Sequence, residues 1–308
     1  MSKITNLSLL LYNSTTYGIM GKRKEIDMIK IDLHIHSTAS DGTDSPSEII
    51  EKAAQAADKA VVALTDHDTT AGTAEFAEAA EKYSNRITAI KGVEISTDYN
   101  GVEIHMLGLN IDPDNVLLNE KLALFRESRD RRNTEMIAKL NAYGFDISMD
   151  DIELKDPGET MARPDIARAL LKKGYVSSIQ EAFDKYIADD APCFVSRTMP
   201  TPKESIELIT QAGGTPVLAH IMLYKKLDEE KKRNLVKELK DYGLKGIETY
   251  YSDYTEEGTA FVESLAEEFH LFRTAGSDYH GGNKPHISLF TGTGNLNPPE
   301  EILNDILA

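Results

Sequence analysis

Hydrophobic and polar residues alternate along the first well-patterned segment of the chain, and this period of two predicts a β-strand. Between Ile29 and His36 every second residue is aliphatic, so that Asp32, His34 and His36 share the opposite face. Two histidines two positions apart on a strand point the same way and can bind one metal ion. Alone, the same pair is also compatible with two half-buried polar side chains.

Capping signals and apolar stretches predict the elements that follow. Ser45, Pro46 and Glu48 match the start of a helix with a capping box, and its alanine-rich body extends to about Lys59. Further strands are predicted at Val61–Leu64, Ile87–Ile90 and Glu103–Leu109, with a helix over Ala74–Tyr83.

The pattern changes after about residue 112, where helical signals replace strand signals. One long charged helix is predicted over about 114–143, ending at Gly144, and shorter helices near 164–173 and 178–188, the last opened by Ser177 and Gln180. A capping box at Thr201 and Glu204 predicts the start of another helix, after which strands and helices alternate again. The later strands are predicted at Pro216–Ala219, Gly246–Tyr251 and Leu271–Ala275.

This succession of strands and helices predicts an α/β protein with a parallel sheet or barrel. Residues 28–112 and 199–308 would form that body, and residues 113–198 would form a helical insertion. Residues 1–27 are expected to be a loose N-terminal extension.

Composition and charge narrow the possible partners. The 308 residues include 34 Lys and Arg against 51 Asp and Glu, a net charge of −17, which argues against extended nucleic acid or an anionic membrane surface. No apolar run approaches the ~18 residues that span a bilayer. The single cysteine, Cys193, excludes an internal disulfide and fits a reduced, cytoplasmic setting. The oligomeric state stays open.

Six of the eight histidines stand in or at the ends of predicted strands, beside carboxylates or glycines. Each such residue also has an ordinary interpretation: Asp41 as a turn residue, Asp68 as a helix cap, and His105 as a core histidine. His270 and His286 lack this context and are predicted to lie on the surface.

Taken together, the candidates coincide with the strand ends at which parallel α/β proteins collect their functional sites. Imidazole and carboxylate without thiolate suit Mn, Fe or Zn, with Mg also compatible, and the number of donors suggests two or three divalent ions. The candidate ligands are His34, His36, Asp41, His67, Glu94, His105, His220, Asp278 and His280.

The ordered set of motifs resembles the PHP (polymerase and histidinol phosphatase) family. The resemblance rests on Asp32-Leu33-His34-Ile35-His36-Ser37 with Asp41-Gly42, Thr65-Asp66-His67-Asp68, Gly92-Val93-Glu94-Ile95-Ser96, His105, Ala219-His220 and Gly276-Ser277-Asp278-Tyr279-His280. It is closest to the stand-alone branch, which contains nucleoside 3′,5′-bisphosphate phosphatases and a 5′-to-3′ exoribonuclease. It extends over residues 29–290.

The resemblance implies a distorted (β/α)7 PHP barrel with a trinuclear site and a helical insertion over its mouth. One ion would take His34, His36, Glu94 and Asp278, a second Glu94, His105 and His220, and a third Asp41, His67 and His280. Arg163 and Arg197 resemble positions that contact substrate phosphate, for which the planar guanidinium is well suited. Without the family context, each arginine is equally compatible with a surface salt bridge.

Three positions depart from the pattern of many relatives. Asp165 stands where relatives often have His, Ile221 where they often have Pro, and Tyr254 near a frequent His. An aspartate at 165 would repel a second phosphate unless it is paired, so strict bisphosphate specificity is not expected from the sequence.

The favoured hypothesis is a metal-dependent phosphoesterase that hydrolyses a phosphate monoester of a small nucleotide-like substrate. The nucleophile would be a metal-bridging hydroxide held by Glu94, His34, His36 and Asp278.

One alternative is a 5′-to-3′ exoribonuclease acting on short RNA. The cations of the long helix could then bind several successive phosphates: Arg126, Arg129, Arg131, Arg132 and Lys139. The interleaved acidic residues instead favour a solvated, ion-paired helix face. Further alternatives are a non-catalytic metal-binding or partner-binding module and hydrolysis of a carbon–nitrogen bond.

Overall fold

A computed structural model describes residues 29–152, 161, 163–189 and 191–306. The extension predicted at 1–27 lies outside the described residues. Within the described part of the chain, no helix is both long enough and apolar enough to cross a membrane.

Seven strands form one sheet in chain order. They are β1 (Lys30–Ile35), β2 (Ala60–Leu64), β3 (Ile87–Tyr99), β4 (Val102–Leu109), β5 (Thr215–Leu218), β6 (Gly246–Tyr251) and β7 (Phe272–Gly276). The sheet curves back on itself, because the end of β1 bonds to the segment after β7. Asp278 N–H donates to the carbonyl of His34 and His36 N–H to that of Tyr279, each at 2.9 Å. The predicted α/β barrel is therefore confirmed as a nearly closed seven-stranded barrel.

The expectation of parallel strands throughout is wrong at β4. β4 runs antiparallel to both β3 and β5, whereas β1–β2–β3 and β5–β6–β7 are parallel. The cause is a two-residue turn at Asn100 and Gly101, with φ of 51° and 81°, between the paired residues Tyr99 and Val102. Asn-Gly is the dipeptide best suited to such a hairpin turn. As a result β3 continues far beyond its predicted end at Ile90.

The helices are α1 (Pro46–Ala56), α2 (Thr73–Glu81), α3 (Val116–Tyr143), α4 (Arg163–Lys172), α5 (Ile179–Ala182, continued by a π-helical turn over Phe183–Ile187), α6 (Pro202–Gln211), α7 (Glu229–Tyr242), α8 (Glu256–Glu268) and α9 (Leu303–Ile306). The capping boxes at Ser45 and Thr201 are confirmed. α3 ends as predicted at Gly144, whose φ of 108° favours glycine. The cap of α5 is Ser178 rather than the predicted Ser177.

The segment between β4 and β5 has its own buried cluster. Met136 and Leu140 of α3 pack there with Ile166 and Leu170 of α4 and with Cys193. The described residues of this segment form helices and loops, with no strand. The same α3 helix also sends Leu118 and Leu122 into the cluster around β3, β4 and α6. α3 therefore joins the helical segment to the barrel and holds it beside the strand ends.

Candidate metal centre and adjoining cavity

The nine candidate ligands lie together at one end of the barrel, and different elements bring them there. His34 belongs to β1 and His36 follows it, both fully buried. Glu94 lies in the middle of β3 rather than at a strand end as predicted, because the β3–β4 hairpin extends the strand past it. The other six are placed as follows: Asp41 in the loop after β1, His67 after β2, His105 on β4, His220 after β5, and Asp278 and His280 after β7.

Two of these residues have strained backbones. His220 and Asp278 have φ of 23° and 58°, a region that costs energy for a residue other than glycine. Such strain persists where the surrounding structure requires a particular side-chain direction. Here the two side chains point toward the same group of histidines.

The Glu94 carboxylate is the centre of the cluster. It is wholly buried, and five imidazole nitrogens lie within 3.2 Å of its two oxygens. Oε2 faces three of these histidines and Oε1 faces two. The distances are 3.2 Å to His34 Nε2, 3.2 Å to His36 Nε2, 3.0 Å to His67 Nδ1, 2.8 Å to His105 Nδ1 and 3.1 Å to His220 Nε2.

Two aspartates flank this centre. Asp278 Oδ1 lies 3.3 Å from His36 Nε2 and 3.7 Å from His34 Nε2. Asp41 Oδ1 lies 3.3 Å from His280 Nε2, and its Oδ2 lies 3.8 Å from His67 Nε2. Both carboxylates therefore share histidines with one another or with the central glutamate.

Four groups of donor atoms are compact enough to surround a cation, each with its atoms within 4.8 Å of one another. The groups are His36, Asp41, His67 and His280; His34, His36 and Asp278; His34, Glu94 and His220; and His67, Glu94 and His105. All nine predicted ligands occur in these groups. The groups overlap and differ in part from the three sets that the family resemblance implies, so the assignment of ligands to individual ions stays a prediction.

Unpaired polar atoms test whether these residues fit metal ions. Buried atoms without a hydrogen-bond partner are concentrated in the cluster: His34 Nε2, His36 Nδ1 and Nε2, His67 Nδ1, Glu94 Oε2 and His220 Nδ1. A buried polar atom without a partner is costly, and a protein rarely retains several at one place. Divalent cations would satisfy these lone pairs together, so the donor set fits a metal centre.

The carboxylates also raise the pKa of neighbouring histidines. Burial lowers the pKa of His36, but Asp278 and Glu94 outweigh it and raise the pKa to about 9. Burial likewise lowers the pKa of His105, but the carboxylates of Glu94 and Glu103 outweigh burial and raise it to about 10. The cluster thus attracts positive charge, which protons provide when cations do not.

Sequence analysis missed several residues that hold the ligands in place. Glu248 on β6 is fully buried; its Oε1 lies 3.0 Å from His34 Nδ1, and its Oε2 accepts the backbone N–H of His220 at 2.8 Å. Asp278 Oδ2 accepts from the hydroxyl of Tyr251 at 2.7 Å and from Lys284 Nζ at 2.6 Å. The available signal for Glu248 was a charged residue inside an otherwise uncharged strand.

Asp68 is not the helix cap that the sequence suggested. α2 begins after Gly72, while Asp68 is buried with a φ of 51° and accepts the backbone N–H of Ser96 at 3.1 Å. Its Oδ2 also pairs with Arg129 Nη2 at 2.5 Å. Asp68 therefore ties α3 to the edge of the metal centre.

The prediction of a solvated, ion-paired face on α3 is wrong for three of its arginines. Arg129 and Arg132 are only 5% and 6% exposed, and Arg126 donates to the carbonyl of Asp68. The interpretation holds for Arg131, whose side chain is 66% exposed and 4.0 Å from Glu135. Helical periodicity separates the two sets, since positions 126, 129 and 132 lie on the side facing the barrel and 131 does not.

A cavity of about 340 Å³ adjoins the cluster and contains both predicted phosphate-binding arginines. Arg197 donates to Glu103 at 2.7 Å, and Arg163 pairs with Asp189 at 3.0 Å and with Glu103 at 3.5 Å. Glu103 Oε1 is in turn 3.6 Å from Nε2 of the candidate ligand His105. The cavity therefore begins where the metal centre ends.

The three residues that depart from the family pattern do not line this cavity. Asp165 is buried and paired with Arg168, and it does not line the cavity. Tyr254 is buried, with its hydroxyl accepting the backbone N–H of Met222 at 3.3 Å. Ile221 packs in the core beside β5. His270 and His286 are exposed, as predicted.

Comparison with known proteins agrees with this geometry. A family model described as the PHP domain matches residues 32–186. The chain is 36% identical over 252 residues, 82% of its own length and 90% of the relative, to a protein of Haemophilus influenzae named 5′-3′ exoribonuclease. It is 34% identical over 254 residues, 82% of its length and 88% of the relative, to the 3′,5′-nucleoside bisphosphate phosphatase of Chromobacterium violaceum.

Solved structures show the same relationship. A structure from Bifidobacterium adolescentis, described as a metal-dependent phosphoesterase, matches with a TM-score of 0.75 and 29% identity over 90% of this chain and 95% of that one. A structure from Chromobacterium violaceum, described as an amidohydrolase with bound SO4 and no metal, matches with a TM-score of 0.74 and 33% identity over 83% and 89% of the two chains. With its barrel and its nine clustered metal-type ligands, the chain belongs to the PHP family of metal-dependent phosphoesterases.

Proposed function

We propose that the chain is a phosphatase that hydrolyses a phosphate monoester of a small nucleotide-like substrate, such as a nucleoside 3′,5′-bisphosphate. The observation that carries this proposal is the arginine-lined cavity beside the candidate metal centre, because the Glu103 carboxylate that lines this cavity lies 3.6 Å from the candidate ligand His105. The bisphosphatase name of one relative and the sulfate bound in a solved neighbour, a tetrahedral anion like phosphate, support it.

The proposed metal ligands are the nine residues of the cluster, and the proposed number of ions is two or three. The donors suit Mn, Fe or Zn, and Mg is compatible. When bound, such ions supply hydroxide at neutral pH and offset the charge of the phosphoryl oxygens. The residues assigned to the nucleophile are Glu94, His34, His36 and Asp278.

The protein's own contribution is orientation. Glu248 fixes the ring of His34 through Nδ1 and leaves Nε2 directed at Glu94. Arg163 and Arg197 would orient the substrate phosphate, in exchange for the carboxylate of Glu103 that both now contact. Because an arginine binds a carboxylate and a phosphate with the same planar fork, this exchange needs no large rearrangement.

A second candidate, exoribonuclease activity on short RNA, is favoured by the name of the 36%-identical relative. It would need contacts to several successive phosphates. Two arginines of α3 that could contact RNA phosphates already have partners within the protein. Arg126 donates to the backbone carbonyl of Asp68, and Arg129 pairs with the Asp68 carboxylate. Arg131 faces solvent. The small substrate is therefore preferred.

The proposed partner and cellular compartment are consistent with a small substrate. We propose a phosphorylated small molecule as the partner, with neither extended nucleic acid nor a membrane required. A reduced, cytoplasmic setting agrees with the single cysteine, which is buried.

A substrate panel tests the proposal. Purified protein loaded with Mn or Zn is assayed for phosphate release from adenosine 3′,5′-bisphosphate, nucleoside monophosphates, histidinol phosphate and a 5′-phosphorylated oligoribonucleotide. We expect the bisphosphate to give the highest kcat/KM. His34→Ala should lower turnover by at least about 100-fold while the protein stays folded, because it removes a proposed ligand. Absence of activity on every phosphoester would refute the proposal, and preference for the oligonucleotide with strong salt dependence would favour the exonuclease.

A further inference from the structure

Arg132 is a buried cation that forms no ion pair with any residue that the structure describes. It lies on the side of α3 that faces the barrel, is 6% exposed, and lines the cavity beside the metal centre. Its Nε donates to Asn133 Oδ1 at 2.8 Å. No carboxylate in the described part of the chain pairs with its guanidinium. The terminal nitrogens, which carry most of its donors, therefore remain available to a ligand in the cavity.

The other cations of this cavity all have carboxylate partners. Arg197 pairs with Glu103 at 2.7 Å, and Lys226 and Arg163 both pair with Asp189, at 2.5 and 3.0 Å. Before a substrate phosphate displaces any of these carboxylates, the charges of these side chains are thus compensated within the protein. The uncompensated positive charge of the cavity belongs to Arg132.

The surroundings of Arg132 increase its demand for an anion. Burial and the nearby charges of Arg197, Arg163 and Arg129 outweigh the opposing charge of Glu103 and lower the pKa of Arg132 to about 9, so Arg132 still carries its charge at neutral pH. A buried charge without a partner is unfavourable, and proteins generally compensate such charges. A bound dianion would relieve both the burial and the repulsion among the arginines.

The shape of the cavity favours a phosphate that is attached to a larger molecule. Its volume of about 340 Å³ lies within the range of small-molecule sites and exceeds the size of a free anion. Phe194 and Met199 give it apolar walls, and the Arg163 guanidinium lies over the Phe194 ring at 5.9 Å. A planar, apolar group carrying a phosphate would match this combination of surfaces.

We propose that Arg132 binds the phosphate of the substrate that is not cleaved, and that it makes the enzyme prefer bisphosphates to monophosphates. The inference rests on the proposed function. The cleaved phosphate would lie at the metal centre, and the second phosphate would enter the cavity beyond Glu103. No bond changes in the cavity, so Arg132 is a specificity residue that contributes to binding and leaves the chemical step to the metal centre.

The test compares Arg132→Met and Arg132→Lys with Arg131→Met, a matched control on the exposed face of the same helix. For each protein, kcat and KM are measured with adenosine 3′,5′-bisphosphate and with adenosine monophosphates. Removing a hydrogen bond between an arginine and a phosphate typically lowers the affinity for the phosphate by about 10- to 100-fold. We expect Arg132→Met to raise KM for the bisphosphate by that factor, with kcat and both monophosphate parameters changed less than about 3-fold. Arg131→Met should resemble the wild type.

Arg132→Lys separates loss of the ligand contact from loss of the fold. It keeps the charge and loses the planar fork, so its KM for the bisphosphate should fall between those of the wild type and Arg132→Met. Thermal melting establishes that each variant is folded, and if Arg132→Met is not, Arg132→Lys carries the comparison alone. Equal changes of KM for mono- and bisphosphate, or no change for the bisphosphate, would overturn the inference.

A binding measurement makes failure of this inference distinguishable from failure of the proposed function. Calorimetry with chelator-treated protein measures the affinities for adenosine 3′,5′-bisphosphate and for inorganic phosphate without turnover. Weaker bisphosphate binding by Arg132→Met supports the inference even if the wild type hydrolyses no phosphoester. Loss of inorganic phosphate binding alone, with unchanged bisphosphate affinity, would overturn it and indicate a site for free phosphate.

Discussion

Glu248 offers a sharp test of the metal centre, because it contacts the candidate ligands without belonging to them. Its two oxygens serve two donors, His34 Nδ1 at 3.0 Å and the backbone N–H of His220 at 2.8 Å. Glu248→Gln keeps the size of the side chain but leaves one acceptor for two donors. If the amide nitrogen faces His34, the imidazole must accept at Nδ1 and carry its proton on Nε2. A protonated Nε2 cannot bind a metal ion.

The magnitude follows from the role of such supporting hydrogen bonds. Removing the partner that orients a ligating histidine typically costs about 10- to 100-fold in metal affinity. This range corresponds to about 1.4 to 2.8 kcal/mol, since each factor of ten is about 1.4 kcal/mol. It also agrees with the ~1.5–3 kcal/mol of a hydrogen bond to a charged group. We therefore expect the dissociation constant for Mn or Zn to rise by about 10- to 100-fold.

The assay is competition between the protein and a chromophoric chelator, with circular dichroism to establish that each variant is folded. Glu263→Gln is the matched control, because it makes the same chemical change at a glutamate that is 42% exposed and contacts the Tyr250 hydroxyl. The control should bind metal like the wild type. If Glu248→Gln is folded and binds metal within twofold of the control, His34 is not held through Nδ1 and the reasoning is refuted.

Three further predictions concern the surroundings of the site and the fold. Gly276→Ala should weaken metal binding in the same assay, because a new Cβ would lie 2.2 Å from the Cβ of His34, whereas Gly258→Ala, with its nearest neighbour at 3.6 Å, should not. Thr201→Ala should lower the free energy of unfolding by about 1 kcal/mol in urea titrations, since it removes a capping box, and an unchanged midpoint would contradict this. Burial lowers the pKa of His36, but neighbouring carboxylates outweigh burial and raise this pKa from 6.5 to about 9. Protonated His36 therefore stabilises the folded metal-free protein below pH 6.5, and this contribution to the free energy of unfolding is lost as the pH rises toward 9. Because metal competes with the proton, the metal-induced rise in Tm should grow over that range, and a constant rise would contradict the assignment.

The strands and helices of the barrel were largely predictable, because local signals agreed with the final packing. The period of two around His34, the capping boxes at Ser45 and Thr201, and the end of α3 at Gly144 all mark elements that the structure contains. Each of these signals depends only on residues that are close together in the sequence. The antiparallel β4 was missed although Asn100-Gly101 carries a strong hairpin signal.

The candidate ligands were predictable as residues but not as an arrangement. Their chemistry is visible in the sequence, whereas the contact of Glu94 with five imidazoles depends on how five strands and their loops converge. Glu248 was missed because a single acidic residue in an otherwise uncharged strand does not show which side chains it contacts. The burial of Arg132 was missed because charge patterns on a helix do not reveal which side meets a barrel.

We propose that the clustered histidines and carboxylates hold the divalent ions on which phosphoester hydrolysis depends. The most direct measurement is phosphate release from adenosine 3′,5′-bisphosphate by chelator-treated protein, titrated with Mn or Zn while the bound metal is counted in the same samples. We expect negligible activity without metal, and activity that rises with bound metal to saturation at two or three ions per chain. Activity that is independent of bound metal, or a fully loaded protein that releases no phosphate, would contradict it.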